Sequence, residues 1–196
     1  MQKILSVSAL AFLFMLSSCS SHTKKIIVFA NSSIQLDESG KNITITEGMT
    51  HHEKELVFNG TDPVTLQVQT PAGKVTLQAG DDGLYIANLQ KDTIVGSFQH
   101  IGADNGKVTL TTDLLKQKVD SLGKLTQGLN VSAVNRNYFI PPSTLSRITP
   151  VTAARVFGPY TTVPSGFDAS SVPEIYKFYT NKEIREIMGR LSGIGK

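Results

Sequence analysis

Residues 64–87 read Val-Thr-Leu-Gln-Val-Gln-Thr-Pro-Ala-Gly-Lys-Val-Thr-Leu-Gln-Ala-Gly-Asp-Asp-Gly-Leu-Tyr-Ile-Ala. Apolar side chains return at every second position. Leu66 and Val68 alternate with Thr65, Gln67 and Gln69, and Val75 and Leu77 alternate with Lys74, Thr76 and Gln78. A period of two puts one set of side chains on one face of a strand and the other set on the opposite face. Pro71-Ala72-Gly73 and Asp81-Asp82-Gly83 supply the tight or positive-φ positions that turns demand. The stretch is therefore strand, turn, strand, turn, strand.

The same grammar extends outward. Strands are predicted at 25–30, 42–46, 54–58, 64–69, 74–78, 84–88, 93–98 and 107–111. Glu38-Ser39-Gly40, Asn59-Gly60 and Asp104-Asn105-Gly106 fall between them as further turn signals. Val64-Thr65-Leu66-Gln67 recurs as Val75-Thr76-Leu77-Gln78, and weakly as Val108-Thr109-Leu110-Thr111, which is strand grammar and not a solenoid repeat. One strand per 8–12 residues predicts a mainly β chain with some α, its residues 25–111 forming an antiparallel β-sandwich or small open barrel. This stretch loosely resembles small immunoglobulin-like or PEGA-like envelope modules, a likeness of fold that implies no function.

Residues 112–196 follow other rules. Thr112 or Asp113 can cap a helix reaching about Leu125, with Leu115, Val119 and Leu122 at helical spacing. From 135 to 173 no period holds, and Pro141, Pro142, Pro150, Pro159, Pro164 and Pro173 interrupt. The segment is nevertheless rich in Tyr, Phe, Ile and Val, too apolar to stay in water. It is expected to be a Pro-rich extended strap laid over the sheet. Asn181 is a cap candidate for a C-terminal amphipathic helix, with Ile184, Ile187, Met188 and Leu191 as its stripe and Glu183 in its first turn.

The N-terminus speaks to location. Lys3 precedes an apolar run of 13 residues at 4–16, closed by Leu16-Ser17-Ser18-Cys19. Thirteen residues span roughly 20 Å as a helix, short of a hydrocarbon core of about 30 Å. The segment is a secretory signal and not a membrane span. Its ending resembles the lipobox of bacterial lipoproteins. The resemblance implies cleavage before Cys19, a diacylglycerol on the Cys19 thiol, acylation of the new N-terminus, and residues 19–24 as a lipidated tether. Two or more acyl chains hold where one does not. Cys19 is the only cysteine, so a lipidated chain has neither a disulfide nor a catalytic thiol. Ser20 after the cysteine, with no acidic run behind it, implies the outer membrane and its periplasmic face.

Net charge is +3, unevenly spread. Residues 20–111 carry 7 Lys against 10 acids, and 112–196 carry 6 Lys and 5 Arg against 6 acids. A basic half suits anionic headgroups, a polyanionic glycan or an acidic partner, although an uneven solvated surface explains it equally well. Nucleic acid is not an expected partner of an exported chain.

Few residues carry chemistry. His51, Glu53 and Glu55 would share one face of a strand, but a zinc site needs three or four converging ligands, so an exposed polar edge strand is the better reading. Asp81-Asp82-Gly83 and Asp104-Asn105-Gly106 lack the spaced ligands of a calcium loop. Ser165 has no assignable base, and the nucleophile-elbow, phosphate-loop and zincin patterns do not occur. Asp92-Thr93-Ile94 and Asp120-Ser121-Leu122 resemble short O-glycosylation acceptors of some Gram-negative envelopes. No enzyme, metal or cofactor is expected.

What remains is Arg136, Tyr138, Arg147, Arg155, Tyr160, Tyr176 and Tyr179. Arg and Tyr carry much of the energy of protein interfaces. They either form a docking surface on the strap or cover one face of the sheet. The expectation is a lipid-anchored, non-enzymatic accessory or scaffolding component of an envelope assembly. The alternative is a glycan or small-molecule binding module, for which the strand half offers only Phe29, Phe58, Tyr85 and Phe98 and no Trp.

Overall fold

Five consecutive apolar residues, Ile26 to Ala30, end the first strand, β1 (Thr23–Ala30). A strand that is apolar on both of its faces needs cover on both. A computed structural model, which describes residues 22–99, 112–132, 134–164, 167–168 and 171–194, supplies that cover. β1 lies inside a central sheet beside β7 (Gly83–Leu89), every residue of which is buried. The sheet order is β10-β7-β1-β4, with β4 (His52–Asn59) and β10 (Thr144–Thr149) at its edges.

One face of this sheet packs on a second one, ordered β2-β3-β5-β6. Its strands are β2 (Ile34–Leu36), β3 (Asn42–Ile45), β5 (Val64–Thr70) and β6 (Gly73–Ala79). The alternation of the opening stretch decides the packing. Leu66, Val68 and Leu77 point inward with Ile43 and Ile45 onto Ile26, Val28 and Ala87. β5 and β6 pair antiparallel from Val64–Ala79 to Thr70–Gly73, as a hairpin should.

The opposite face packs on a third sheet, ordered β11-β12-β8-β9. It is built from β8 (Ile94–Phe98), β9 (Asn137–Ile140), β11 (Arg155–Phe157) and β12 (Ile175–Thr180). Ile27, Phe29, Leu84 and Ile86 meet Ile94, Ile140, Tyr176 and Phe178 here. Gly96 has no room for a Cβ because the Phe178 ring lies on it. Outside the third sheet sit α1 (Thr112–Thr126) and α2 (Asn181–Ile194), closing a last core on Val95, Leu125 and Ile184. The stripe of α2 faces inward: Ile184 is fully buried, and Met188 packs beside it.

The chain is thus mainly β, an open sandwich with a C-terminal helix and no closed barrel. Two features go beyond the sequence expectation. Three pairings are parallel, β1 with β7, β3 with β5 and β11 with β12. The strap contains three short strands, β9, β10 and β11, and its prolines punctuate them. Pro141 and Pro142 separate β9 from β10, Pro150 follows β10, Pro159 follows β11, and Pro173 precedes β12. Proline sits where no ladder hydrogen bond is required. Strands of 3–6 residues between prolines are too short to display a period. The expected strand at 107–111 and the turn at 104–106 lie outside the described residues.

The cap of α2 is one residue earlier than expected. Thr180 Oγ1 accepts the Glu183 N–H at 3.1 Å, and the Glu183 carboxylate accepts the Thr180 N–H at 2.7 Å. This reciprocal pair is a capping box. Asn181 lies inside the helix, and its buried Oδ1 has no hydrogen-bond partner.

Candidate functional site

The stack has two ends. At one, β1 begins at Thr23, opposite Asn59 on β4 and next to the start of β7. This entry end is bound together by charge. Asp82, in the turn before β7, accepts from His22 Nδ1 at 2.6 Å and lies 3.4 Å from Lys24 Nζ. His22 and Lys24 hold its carboxyl below the usual range. Lys24 is itself buried, and its Nζ also donates to the Gly60 carbonyl at 2.9 Å. Arg147 on β10 donates to the Asp82 carbonyl and stands 3.6 Å from Asp81. The Asp-Asp-Gly turn is therefore an acidic node clasped by the chain's own cations.

The rim continues into the third sheet. Thr149, at the end of β10, donates to Glu174 Oε2 at 2.5 Å. Glu174 pairs with Arg136 at 2.5 Å, and Arg136 also donates to the Tyr176 hydroxyl at 2.7 Å. The guanidinium carbon stands over Phe98, 3.6 Å from the ring centroid. Arg136 holds this place with a φ of 53°, a left-handed backbone that a non-glycine residue rarely adopts. Burial raises the pKa of Tyr138 and Tyr176. The Tyr138 hydroxyl donates to the Ile148 carbonyl at 2.5 Å.

At the other end, His51 precedes β4. The Gln90 amide meets His51 Nδ1 at 2.8 Å, and His51 Nε2 meets Glu53 Oε1 at 2.8 Å. With Gln90 donating, the ring proton sits on Nε2 and points at Glu53. Glu53 stands against Gly158, where no Cβ fits. The Gly158 carbonyl accepts from Lys177 Nζ at 2.6 Å, and the Phe178 carbonyl accepts from it at 2.7 Å. Burial pushes Lys177 down to about 8, against the upward pull of Glu183 and Glu53. Glu183 also accepts the Tyr160 N–H at 2.7 Å, and the Tyr160 ring meets His51 edge-on. Lys177 and Glu183 thus clamp the turn at 158–160 onto the end of β12. Sequence reasoning missed Lys177. Its signal is a lysine inside the apolar run Ile175-Tyr176-Lys177-Phe178-Tyr179 of β12.

The seven Arg and Tyr candidates do not form one surface. Arg136, Tyr138 and Tyr176 converge at the entry end, where their groups are spent on internal partners. Arg147 holds the Asp-Asp-Gly turn. Tyr179 lies under the Lys177 ammonium, 4.3 Å from its ring centroid. Arg155 and Tyr160 are exposed, Tyr160 by 59 %. The metal-like trio also separates: His51 and Glu53 meet, while Glu55 pairs with Lys25 at 2.8 Å on the edge strand. Among the described residues no three His, Cys, Asp or Glu groups come together around a possible ion. Cys19, the lipidation candidate, and Ser165 lie outside the described residues.

The described residues form hollows. A cleft of about 150 Å³ opens by Asn31, Thr46 and Gln90. That is below the roughly 300–1,000 Å³ usual for ligand sites. A shallow groove of about 400 Å³ crosses β3, β5 and β6 at Asn42, Gln67 and Lys74. None of its lining residues is aromatic, so it lacks a stacking platform for sugar rings. No helix among the described residues is long and apolar enough to cross a membrane. No protein-family model, curated protein or solved structure matches the chain.

Proposed function

We propose that this is a lipid-anchored envelope protein on the periplasmic face of the outer membrane, acting without catalysis as an accessory or scaffolding component of an assembly. One observation carries the reading. The lipobox-like Leu16-Ser17-Ser18-Cys19 stands four residues before Thr23, the first residue of a buried central strand. β1 thereby takes up part of the span expected as tether. Four residues reach at most about 14 Å. A lipid on Cys19 would hold the stack almost on the bilayer, on a span too short to let it roam.

The docking residues we assign on this reading are Arg155 and Tyr160. Both belong to the strap and face solvent. Tyr160 has a φ of 62° and is held by Glu183 and His51. An exposed ring already fixed in place loses little entropy when a partner covers it.

The test is crosslinking and pull-down of the native protein from solubilised envelopes, with Cys19→Ala as the mislocalised control. A stoichiometric membrane partner lost in the control and weakened by Arg155→Ala with Tyr160→Ala is the expected result. Point variants are required because removing 135–196 would take β10 from the central sheet and β12 from the third. A monomer without partners in native envelopes would overturn the reading in favour of a ligand-binding module.

A further inference from the structure

We infer that the entry end of the stack is laid against the bilayer, with Leu129, Val131 and Val134 seated at the level of the lipid headgroups. The inference rests on the lipid anchor proposed above and adds an orientation and an interaction surface to it.

The first support is position. The first residue of β1, Thr23, lies four residues after Cys19, and His22 beside it meets Asp82. The contacts from Asp82 through Arg147, Thr149 and Glu174 to Arg136 trace one continuous rim from the start of β7 to the start of β9. Asn137, the first residue of β9, bridges back to Ser132, and its amide donates to the Asn130 carbonyl at 3.2 Å. The segment holding Leu129, Val131 and Val134 is thus fastened to this rim.

The second support is exposure. Leu129 is 53 %, Val131 37 % and Val134 91 % exposed. Three aliphatic side chains this close in sequence and turned to water favour transfer to an apolar medium.

The third is rigidity. Leu129 N–H donates to the Lys124 carbonyl at 2.9 Å, and Asn135 binds Asn130 Oδ1 at 2.8 Å and Ser132 Oγ at 3.0 Å. These bonds tie Leu129, Asn130, Ser132 and Asn135 in place, so the side chains they carry need little ordering on contact.

Charge selects the kind of seating. At the rim Asp81, Asp82 and Glu174 meet Lys24, Arg147 and Arg136. Among the described residues of the rim these three carboxylates balance these three cations, beside a His22 that also meets Asp82. The contact should therefore be apolar and insensitive to salt and to anionic lipid, unlike a polybasic one.

The opposite end offers an internal control. Met49 is 97 % exposed and precedes β4 at the His52 end. An eight-residue strand separates the two ends by about 26 Å, beyond the reach of the tether.

The test uses the full chain, processed in cells and reconstituted in vesicles of phosphatidylethanolamine and phosphatidylglycerol. Because acylation consumes the Cys19 thiol, Val134→Cys and Met49→Cys each introduce one free thiol for a nitroxide label. Collisions with oxygen, which partitions into lipid, are compared with collisions with a water-soluble nickel chelate. The expected result is a severalfold higher oxygen-to-nickel ratio at 134 than at 49, unchanged by salt. Equal ratios on protein whose mass shows the acyl chains would overturn the inference and leave the anchor standing. An unacylated mature chain would overturn both. A label at 134 that is shielded only when envelope proteins are added would also overturn it, and would point to a protein partner.

Discussion

The two ends of the stack handle charge differently. At the entry end each cation faces a carboxylate: Arg136 pairs with Glu174, and Lys24, though buried, lies beside Asp82. Arg136 is 33 % and Glu174 19 % exposed, and Asp82 is 38 % exposed between His22 and Lys24. At the far end Lys177 is only 5 % exposed and meets backbone carbonyls in place of a carboxylate. A cation that faces a carboxylate recovers through charge part of what it loses in hydration. A buried ammonium held by dipoles must give up hydration, so its pKa falls. The entry end is therefore an inert rim that can rest on another surface, while the far end carries a pH-sensitive clasp.

The largest expected effect lies in the core shared by both ends. Phe178→Ala should cost about 3–5 kcal/mol, because the ring is fully buried between Gly96, Phe29 and Tyr138. Urea unfolding measures it. A cost near that of a surface change would break the three-sheet account.

At the entry end, Arg136→Ala should cost about 1.5–3 kcal/mol, the range for hydrogen bonds to charged groups. It leaves Glu174 with only Thr149 and Tyr176. Glu174→Gln should cost less, since an amide still accepts from Thr149. Equal costs for the two would mean that charge, and not packing of the guanidinium on Phe98, holds the rim.

At the far end the signature is a pH slope. Lys177 titrates at about 8 in the fold against 10.5 as the ordinary value. Below about pH 8 both folded and unfolded chains carry the proton, and the cost of burying the charge is fully present. Between 8 and 10.5 the unfolded chain binds more protons, so stability rises with pH. The urea midpoint should climb through this window, and the climb should vanish in Lys177→Met. At acid pH a second window has the same sign, with stability again rising with pH. Hydrogen bonds from Asn42, Ser39 and Lys41 lower Asp37 to about 2. Its contribution is present above 3.8 and lost as pH falls towards 2.

A smaller effect is expected at the α2 cap, where Thr180→Ala should cost about 1 kcal/mol. Smallest is Val134→Ser, expected within about 0.5 kcal/mol of neutral as an exposed substitution, while lowering the lipid contact of the rim. A large stability loss in Val134→Ser would mean that the side chain is structural and not presented.

The legible parts of this fold are those whose period is local. The hairpin of β5 and β6 and the stripe of α2 can be read from spacing alone, because one face is buried and the other solvated. β1 and β7 announce burial on both faces by continuous apolar runs, but not which strands they pair with. Their parallel contact joins residues 24 and 83 across the chain, and no local pattern encodes that. The strap failed for a different reason: its strands are shorter than the period needed to recognise them, and proline reads equally as a break or as a boundary. The Arg and Tyr residues were legible as a group, yet composition cannot tell an inward guanidinium such as Arg136 from an outward one such as Arg155. Lys177 was missed because a lysine in a strand is usually taken as its solvated face.

The most direct test of the account is the intact mass of the protein extracted from native membranes. A chain beginning at Cys19 and carrying acyl groups, with Cys19→Ala recovered uncleaved and off the outer membrane, is the predicted result. A mature chain cut elsewhere, with Cys19 absent or bearing a free thiol, would contradict the anchor and with it the orientation of the rim.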